Sequence, residues 1–115
     1  MNIETRLSDE GLVVRPLESR LDAAGAVQFK DAIRDLVSSA PDCMILDLGN
    51  VTFLDSSGLG AVVGAMKMLG PDRRLELANL NPAVAKVFAL TRMDRVFTIH
   101  TTPPAGAPVD TRHVG

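Results

Sequence analysis

Cys43-Met44-Ile45-Leu46-Asp47-Leu48-Gly49-Asn50-Val51-Thr52-Phe53-Leu54-Asp55-Ser56-Ser57-Gly58-Leu59-Gly60 is the stretch on which the fold turns. Its first six residues carry almost no polar alternation, the pattern of a strand buried on both faces in a partly parallel sheet. After a connector over 49–54, the polar turn Asp55-Ser56-Ser57-Gly58 leads into Leu59, Val62, Val63, Met66 and Leu69. These recur at helical spacing until Gly70-Pro71 stops the helix. Strand, polar turn and helix in that order are half of a βαβ unit.

Upstream, residues 3–7 and 12–17 are strand-like runs around the polar connection Ser8-Asp9-Glu10-Gly11 and predict a hairpin, with Pro16 ending or bulging the second strand. Between 24 and 39, Val27, Phe29, Ile33, Leu36 and Val37 fall near helical spacing, Lys30, Asp31, Arg34 and Asp35 supply a wet face, and Pro41 ends the helix. Downstream, residues 75–78 read as a strand, Asn81-Pro82 as a helix cap and first turn, Val84, Val87 and Phe88 as a third helical stripe, and 96–99 as the last strand. No internal repeat is visible. The order β-β-α-β-α-β-α-β predicts an α/β sandwich with a mixed sheet of about five strands, and right-handed crossovers put the helices on one face. Residues 1–100 are expected to form one domain. The tail 101–115, with Pro103, Pro104, Gly106 and Pro108, has neither period nor core-forming residues and reads as disordered.

Composition narrows the function classes. The 115 residues are 46% hydrophobic and 23% charged with a formal net charge of -2, so nucleic acid is not an expected partner, for want of a basic footprint. Four Phe, no Trp and no Tyr leave neither base-stacking platforms nor an aromatic cage. The lone Cys43 sits in an apolar run and reads as buried and inert. The N-terminus lacks an apolar stretch of signal-peptide length and no segment approaches the ~20 apolar residues of a span, so the default address is cytoplasmic and no membrane partner is expected. One Cys and two remote His offer no metal site, and no cofactor is expected.

Asp55-Ser56-Ser57-Gly58-Leu59-Gly60 is the one local cluster where polar side chains, small residues and a helix start coincide. First-turn N–H groups and the helix dipole favour an anion, so a phosphate on a Ser here would be accepted without unfolding the element. Gly58 and Gly60 remove bulk where a second protein's active site would have to reach the hydroxyl. The same tetrapeptide is equally the chemistry of a helix cap, which is the commoner use of such turns, and a Gly pair also lets a helix lie close on a sheet. Asp22 reads in the same way as the turn residue before the first helix, and Asp47 at a strand end is ambiguous. A catalytic reading finds no support: a Ser hydrolase needs a base, and the histidines are His100 and His113, away from the turn. A Gly-x-Ser-x-Gly elbow is absent, and an aspartyl-phosphate receiver at Asp47 would find only Glu18 at the end of the second strand.

Residues 44–60 resemble the signature of the STAS family (sulphate transporter and anti-sigma factor antagonist), most nearly its stand-alone bacterial anti-anti-sigma factors. The likeness extends to Leu21-Asp22 upstream and to Asn81-Pro82-Ala83-Val84 with Phe88 downstream, covering roughly residues 3–99. The resemblance implies a STAS-like sandwich and a non-enzymatic anti-sigma factor antagonist. It makes Ser56 the phosphoacceptor, with Ser57 the lesser candidate, and a GHKL-type serine kinase that is itself the anti-sigma factor the partner. Unphosphorylated antagonist would bind that kinase, phosphorylation would release it, and a PP2C-type phosphatase would reset the cycle. Asp55, Gly58 and Leu59 would belong to the docking surface, with Asp22 in the adjacent loop. The alternative of another class is an unphosphorylated STAS scaffold or regulatory module of a transport or stress-sensing complex. Two departures from the family pattern stand out: Ser19 where a Gly is usual three residues before Asp22, and prolines where the closing helix would follow the last strand.

Overall fold

The structure, a computed structural model, describes residues 1–104 and the backbone of 110–113. The chain opens with an antiparallel hairpin, β1 (Asn2–Ser8) and β2 (Gly11–Pro16), turning at Gly11 with φ 147°. A two-residue strand β3 (Arg20–Leu21) leads into α1 (Ala23–Val37); β4 (Cys43–Asp47) is followed by a second short strand β5 (Phe53–Leu54) and α2 (Ser56–Leu69). The order continues with β6 (Arg74–Ala78), α3 (Pro82–Leu90), a 3-10 turn at Met93–Arg95, β7 (Ile99–His100) and β8 (Asp110–His113). The main sheet runs β7-β6-β4-β2-β1-β8. The pairs β2/β4, β4/β6 and β6/β7 are parallel and joined through α1, α2 and α3, so the expected βαβ repeats are present.

Alternation along β4 sorts the core. Met44 and Leu46 join Val14, Leu77 and the inner faces of the helices (Phe29, Ile33, Leu36, Val62, Ala65, Val84, Phe88) in one cluster. Cys43 and Ile45 point to the other side and meet only Val13 and Ala78 in a second, smaller cluster. All five residues of β4 are buried, as expected of a strand without polar alternation. The buried stripe of α1 is Ala26, Phe29, Ala32, Ile33 and Leu36, whereas Val27, expected inside, is 65% exposed because it falls on the next face of the helix.

Two expectations need correction at the C-terminal end. The strand expected at 96–99 lies at Ile99–His100: Arg92 takes a left-handed conformation (φ 60°), the chain makes a 3-10 turn, and Phe97 drops inward to meet Phe88 edge-on at 6.1 Å between centroids. The tail is not wholly disordered, since Asp110–His113 pairs antiparallel with β1; the remainder of the 101–115 reading, at 105–109 and 114–115, lies outside the described residues. The five or so strands expected of the mixed sheet are β7-β6-β4-β2-β1, and β8 extends it at the β1 edge. Asn81 stands at the N-cap of α3 but makes no side-chain cap bond. Its amide donates instead to the carbonyls of Gly49 and Val51 at 3.0 and 2.7 Å and fastens the loop between β4 and β5.

On the second face, Glu76 accepts from His100 Nε2 at 2.7 Å and from Arg74 Nε at 3.2 Å. Burial works to raise the Glu76 pKa, but the hydrogen bonds from His100 and Arg74, with their charges, outweigh it and hold the carboxyl below its ordinary 4.5. A carboxyl with a lower pKa folded than unfolded contributes its full stability above 4.5 and loses it as pH falls through the folded value. Glu76→Gln is expected to cost on the order of 1 kcal/mol near neutral pH, with the gap to wild type closing in acid, in urea melts across a pH series. A gap constant across that series would show that the charge of Glu76 has no part in it.

Candidate functional site

The two short strands organise the candidate site. β3 and β5 pair in parallel, Arg20 with Phe53 and Leu21 with Leu54, and each runs directly into a helix through Leu-Asp-x-x-Gly: Leu21-Asp22-Ala23-Ala24-Gly25 and Leu54-Asp55-Ser56-Ser57-Gly58. This is a short structural repeat that five-residue segments of common residue types hide in sequence. In both copies the aspartate is the N-cap: Asp22 accepts from Gly25 N–H at 3.2 Å and Asp55 from Gly58 N–H at 3.0 Å. The register of the strands sets the two helix starts side by side.

Because Asp55 performs the capping, Ser56 is the first helical residue. Ser56 and Ser57 are exposed, and the Ser56 hydroxyl has no hydrogen-bond partner among the described residues. The reading of Ser56 as merely a cap is thereby removed, since the cap bond belongs to its neighbour. Leu59 is half-buried and Gly60 exposed, and a Cβ at Gly60 would meet nothing within 4 Å.

Gly58 behaves differently from the expectation of a contact residue. It is buried, and a Cβ there would lie 2.0 Å from the carbonyl oxygen of Leu21. Its hydrogen side chain lets α2 start against β3, which is a packing demand from within the domain. Gly25, its counterpart, has room for a Cβ, with Leu21 and Arg20 atoms no closer than 3.5 Å.

Asp22 is half-buried, and its carboxyl is held below the usual aspartate range, first by the Gly25 N–H and then by Arg20, whose Nε lies 3.3 Å away. The Arg20 guanidinium also sits over the Phe53 ring at 4.1 Å from its centroid, so one cation bridges the loop of α1 and the strand that delivers Ser56. Ser19, the departure from the family pattern, fits without a left-handed backbone: its carbonyl accepts from the N–H groups of Thr52 and Phe53 at 2.8 and 3.2 Å. Asp47, buried at the end of β4, accepts from Gly49 N–H at 2.9 Å and Asn79 Nδ2 at 3.3 Å, so it braces the loop under the site. Among the described residues no group of His, Cys, Asp or Glu is arranged to hold a metal ion.

Beside Ser56, an open groove of about 420 Å³ runs along α2, lined by Leu59, Gly60, Val63, Lys67 and Met93. Sequence reading placed Val63 in the core stripe and missed Lys67, Met93, Arg20 and Phe53. The signal available was the spacing 56, 60, 63, 67, a single face of α2 that begins at the serine.

Known proteins resemble this chain in sequence and in fold. The family profile described as STAS domain matches residues 2–105. A STAS-domain containing protein of Pseudomonas aeruginosa is 32% identical over 84 residues, covering 72% of this chain and 82% of that protein. The anti-sigma-B factor antagonist of Staphylococcus aureus is 26% identical over 92 residues, 79% of this chain and 84% of its own length. Among solved structures, the anti-sigma factor antagonist SpoIIAA in its unphosphorylated form superposes with a TM-score of 0.68 at 25% identity, covering 86% of this chain and 88% of that one. The phosphorylated form of SpoIIAA, from Bacillus, superposes with a TM-score of 0.62 at 26% identity over 86% of this chain and 91% of that one.

The two glycines separate packing from access. Gly58→Ala is expected to destabilise the fold by about 2 kcal/mol or more through the clash with Leu21, whereas Gly60→Ala is expected to stabilise it by about 0.5–1 kcal/mol. Urea denaturation of the pair checks this; equal effects would mean that the Leu21 contact relaxes without cost.

Proposed function

Because the chain belongs to the STAS domain family, we propose that it is an anti-sigma factor antagonist that works by partner switching, with Ser56 as the acceptor of a phosphoryl group. The observation that carries this reading is the exposed Ser56 hydroxyl at the first position of α2, without a hydrogen-bond partner among the described residues and relieved of capping by Asp55. The relatives named as anti-sigma factor antagonists, one of them solved with and without phosphate, support it.

In this mechanism the chain is a substrate and the kinase of GHKL type is its partner. The Ser56 oxygen attacks the γ-phosphorus of ATP, ADP departs, and the hydroxyl proton passes to a base of the partner, which also holds nucleotide and Mg²⁺. The unmodified chain docks through the surface around Ser56: Leu59 and the groove beyond it, Ser57, and Asp22 in the neighbouring loop. Asp55 and Gly58 act beneath that surface, one as cap and one as packing residue. Binding sequesters the kinase and frees the sigma factor, and a PP2C-type phosphatase restores the hydroxyl. Partner, nucleotide and chain meet in the cytoplasm on this reading; among the described residues no helix is long and apolar enough to cross a membrane.

The phosphate adds about 1.5–2 negative charges next to Asp55. In a desolvated interface, like-charge juxtaposition costs several kcal/mol, on the order of a thousandfold in affinity. The fold tolerates the same charge, because the first-turn N–H groups of α2 face it and the dipole end is positive. Charge at Ser56 therefore acts on the complex and spares the domain.

Ser56→Ala is expected to retain kinase binding and to take up no labelled phosphate; label persisting on that variant moves the acceptor to Ser57 or elsewhere. Ser56→Asp is expected to weaken the complex by two to three orders of magnitude, on the order of 3–4 kcal/mol, with little change in the circular-dichroism melt. Binding undiminished in a folded Ser56→Asp chain would reject charge as the release signal.

A further inference from the structure

The two ends of the sheet are closed by the last two strands of the chain. β7 lies at one edge and β8 at the other, so residues 101–109 join strands on opposite sides of the domain. β8 pairs with β1 through Asn2↔His113, Ile3↔Arg112, Glu4↔Thr111 and Thr5↔Asp110. The start of the connection lies on the face without helices. Arg6 alternates onto that face opposite Val13, and its Nη2 donates to the Pro104 carbonyl at 2.7 Å, with Pro103 and Pro104 half-buried. On that face Ile45 and Ala78 are 0% exposed and Val13 2%, although all three helices pack on the opposite side.

We propose that the outer edge of β1 is a strand-accepting docking site, occupied in cis by Asp110–His113 and open by exchange to the same strand of a second copy of this chain. An edge strand presents a row of N–H and C=O groups, and an extended segment satisfies them through main-chain bonds that do not depend on which molecule supplies it. The chain's own terminal strand is the one segment for which the register is already demonstrated, so a second copy offers the same ladder and the same Arg6–Pro104 contact. Release is local. It breaks the β1–β8 ladder, leaves β1 paired with β2, and opens none of the three crossovers. Pro103 and Pro104 cannot donate to a sheet, so neither adds a ladder bond that would resist the exchange. Exchange of a terminal element of this kind is a low-cost route to a symmetric dimer.

The test uses the full chain carrying Arg112→Pro, which removes the N–H of the residue paired with Ile3 and so interrupts the β8 ladder, and a fluorescent peptide of residues 101–115. The expected result is that main-chain amides of β1 facing β8 exchange hydrogen about tenfold faster or more in the variant, while those facing β2 do not change. The peptide is expected to bind the variant at least about tenfold more tightly than it binds wild type, whose edge is filled. Unchanged exchange in β1 would show that no strand is held there, and an opened edge that ignores the peptide would show that it is no docking site; either overturns the proposal. If the variant unfolds, wild-type chains with distinct isotope labels are mixed at high concentration: intermolecular β1 to β8 contacts support exchange, and contacts confined to single chains at every concentration reject it.

Discussion

The carbonyl of Leu21 is the point at which the two helix starts are tied together. It accepts from the Asp55 N–H at 3.4 Å, and the space in front of it is closed to any side chain at position 58. Only with glycine there can β5 lie beside β3 and α2 begin where its capping aspartate, its exposed serines and the loop of Asp22 share one end of the sheet. The Ser19 carbonyl, accepting from Thr52 and Phe53, extends the same attachment toward the core of the loop. The position of Ser56 is thus set by main-chain contacts, which leaves its side chain free of structural duty.

On the proposed function, that division would let Ser56 take up charge while the domain keeps its shape. Capping, packing and display fall to different neighbours: Asp55 satisfies the Gly58 N–H, Gly58 accommodates Leu21, and Ser56 faces outward. Had the serine been the cap, adding phosphate would have disturbed the helix it starts. The apolar groove along α2 lies next to Ser56, where, on the proposed function, a short-range electrostatic change would have most effect on association.

The architecture was largely legible because β4 is apolar on both faces and the three helices carry stripes of the right period. What escaped has physical reasons. β3 and β5 are two residues long, too short for any alternation, and exist because they pair with each other. Val96 looks like strand by composition, yet Arg92 in a left-handed turn and the burial of Phe97 against Phe88 decide that segment. β8 has no pattern of its own, and its partner β1 lies at the far end of the sequence. At the site, the motif located the helix start. It did not distinguish a glycine that faces a partner from one that faces Leu21, and it was silent on Arg20 over Phe53, a contact made only once the strands pair.

The duplicated helix entry has an implication for selectivity. At Ala23 and Ala24 the domain carries the same backbone frame, with the same aspartate and glycine, as at Ser56 and Ser57. A modifying enzyme that read only this frame would find two nearly equivalent landing places a strand apart, and the missing oxygen at the first of them makes that ambiguity harmless. On the proposed function, discrimination by a partner would draw on what the duplicates do not share, Leu59 and Val63 beyond one entry and the Arg20 guanidinium beside the other, and the address of the domain would be written outside its own repeated signature.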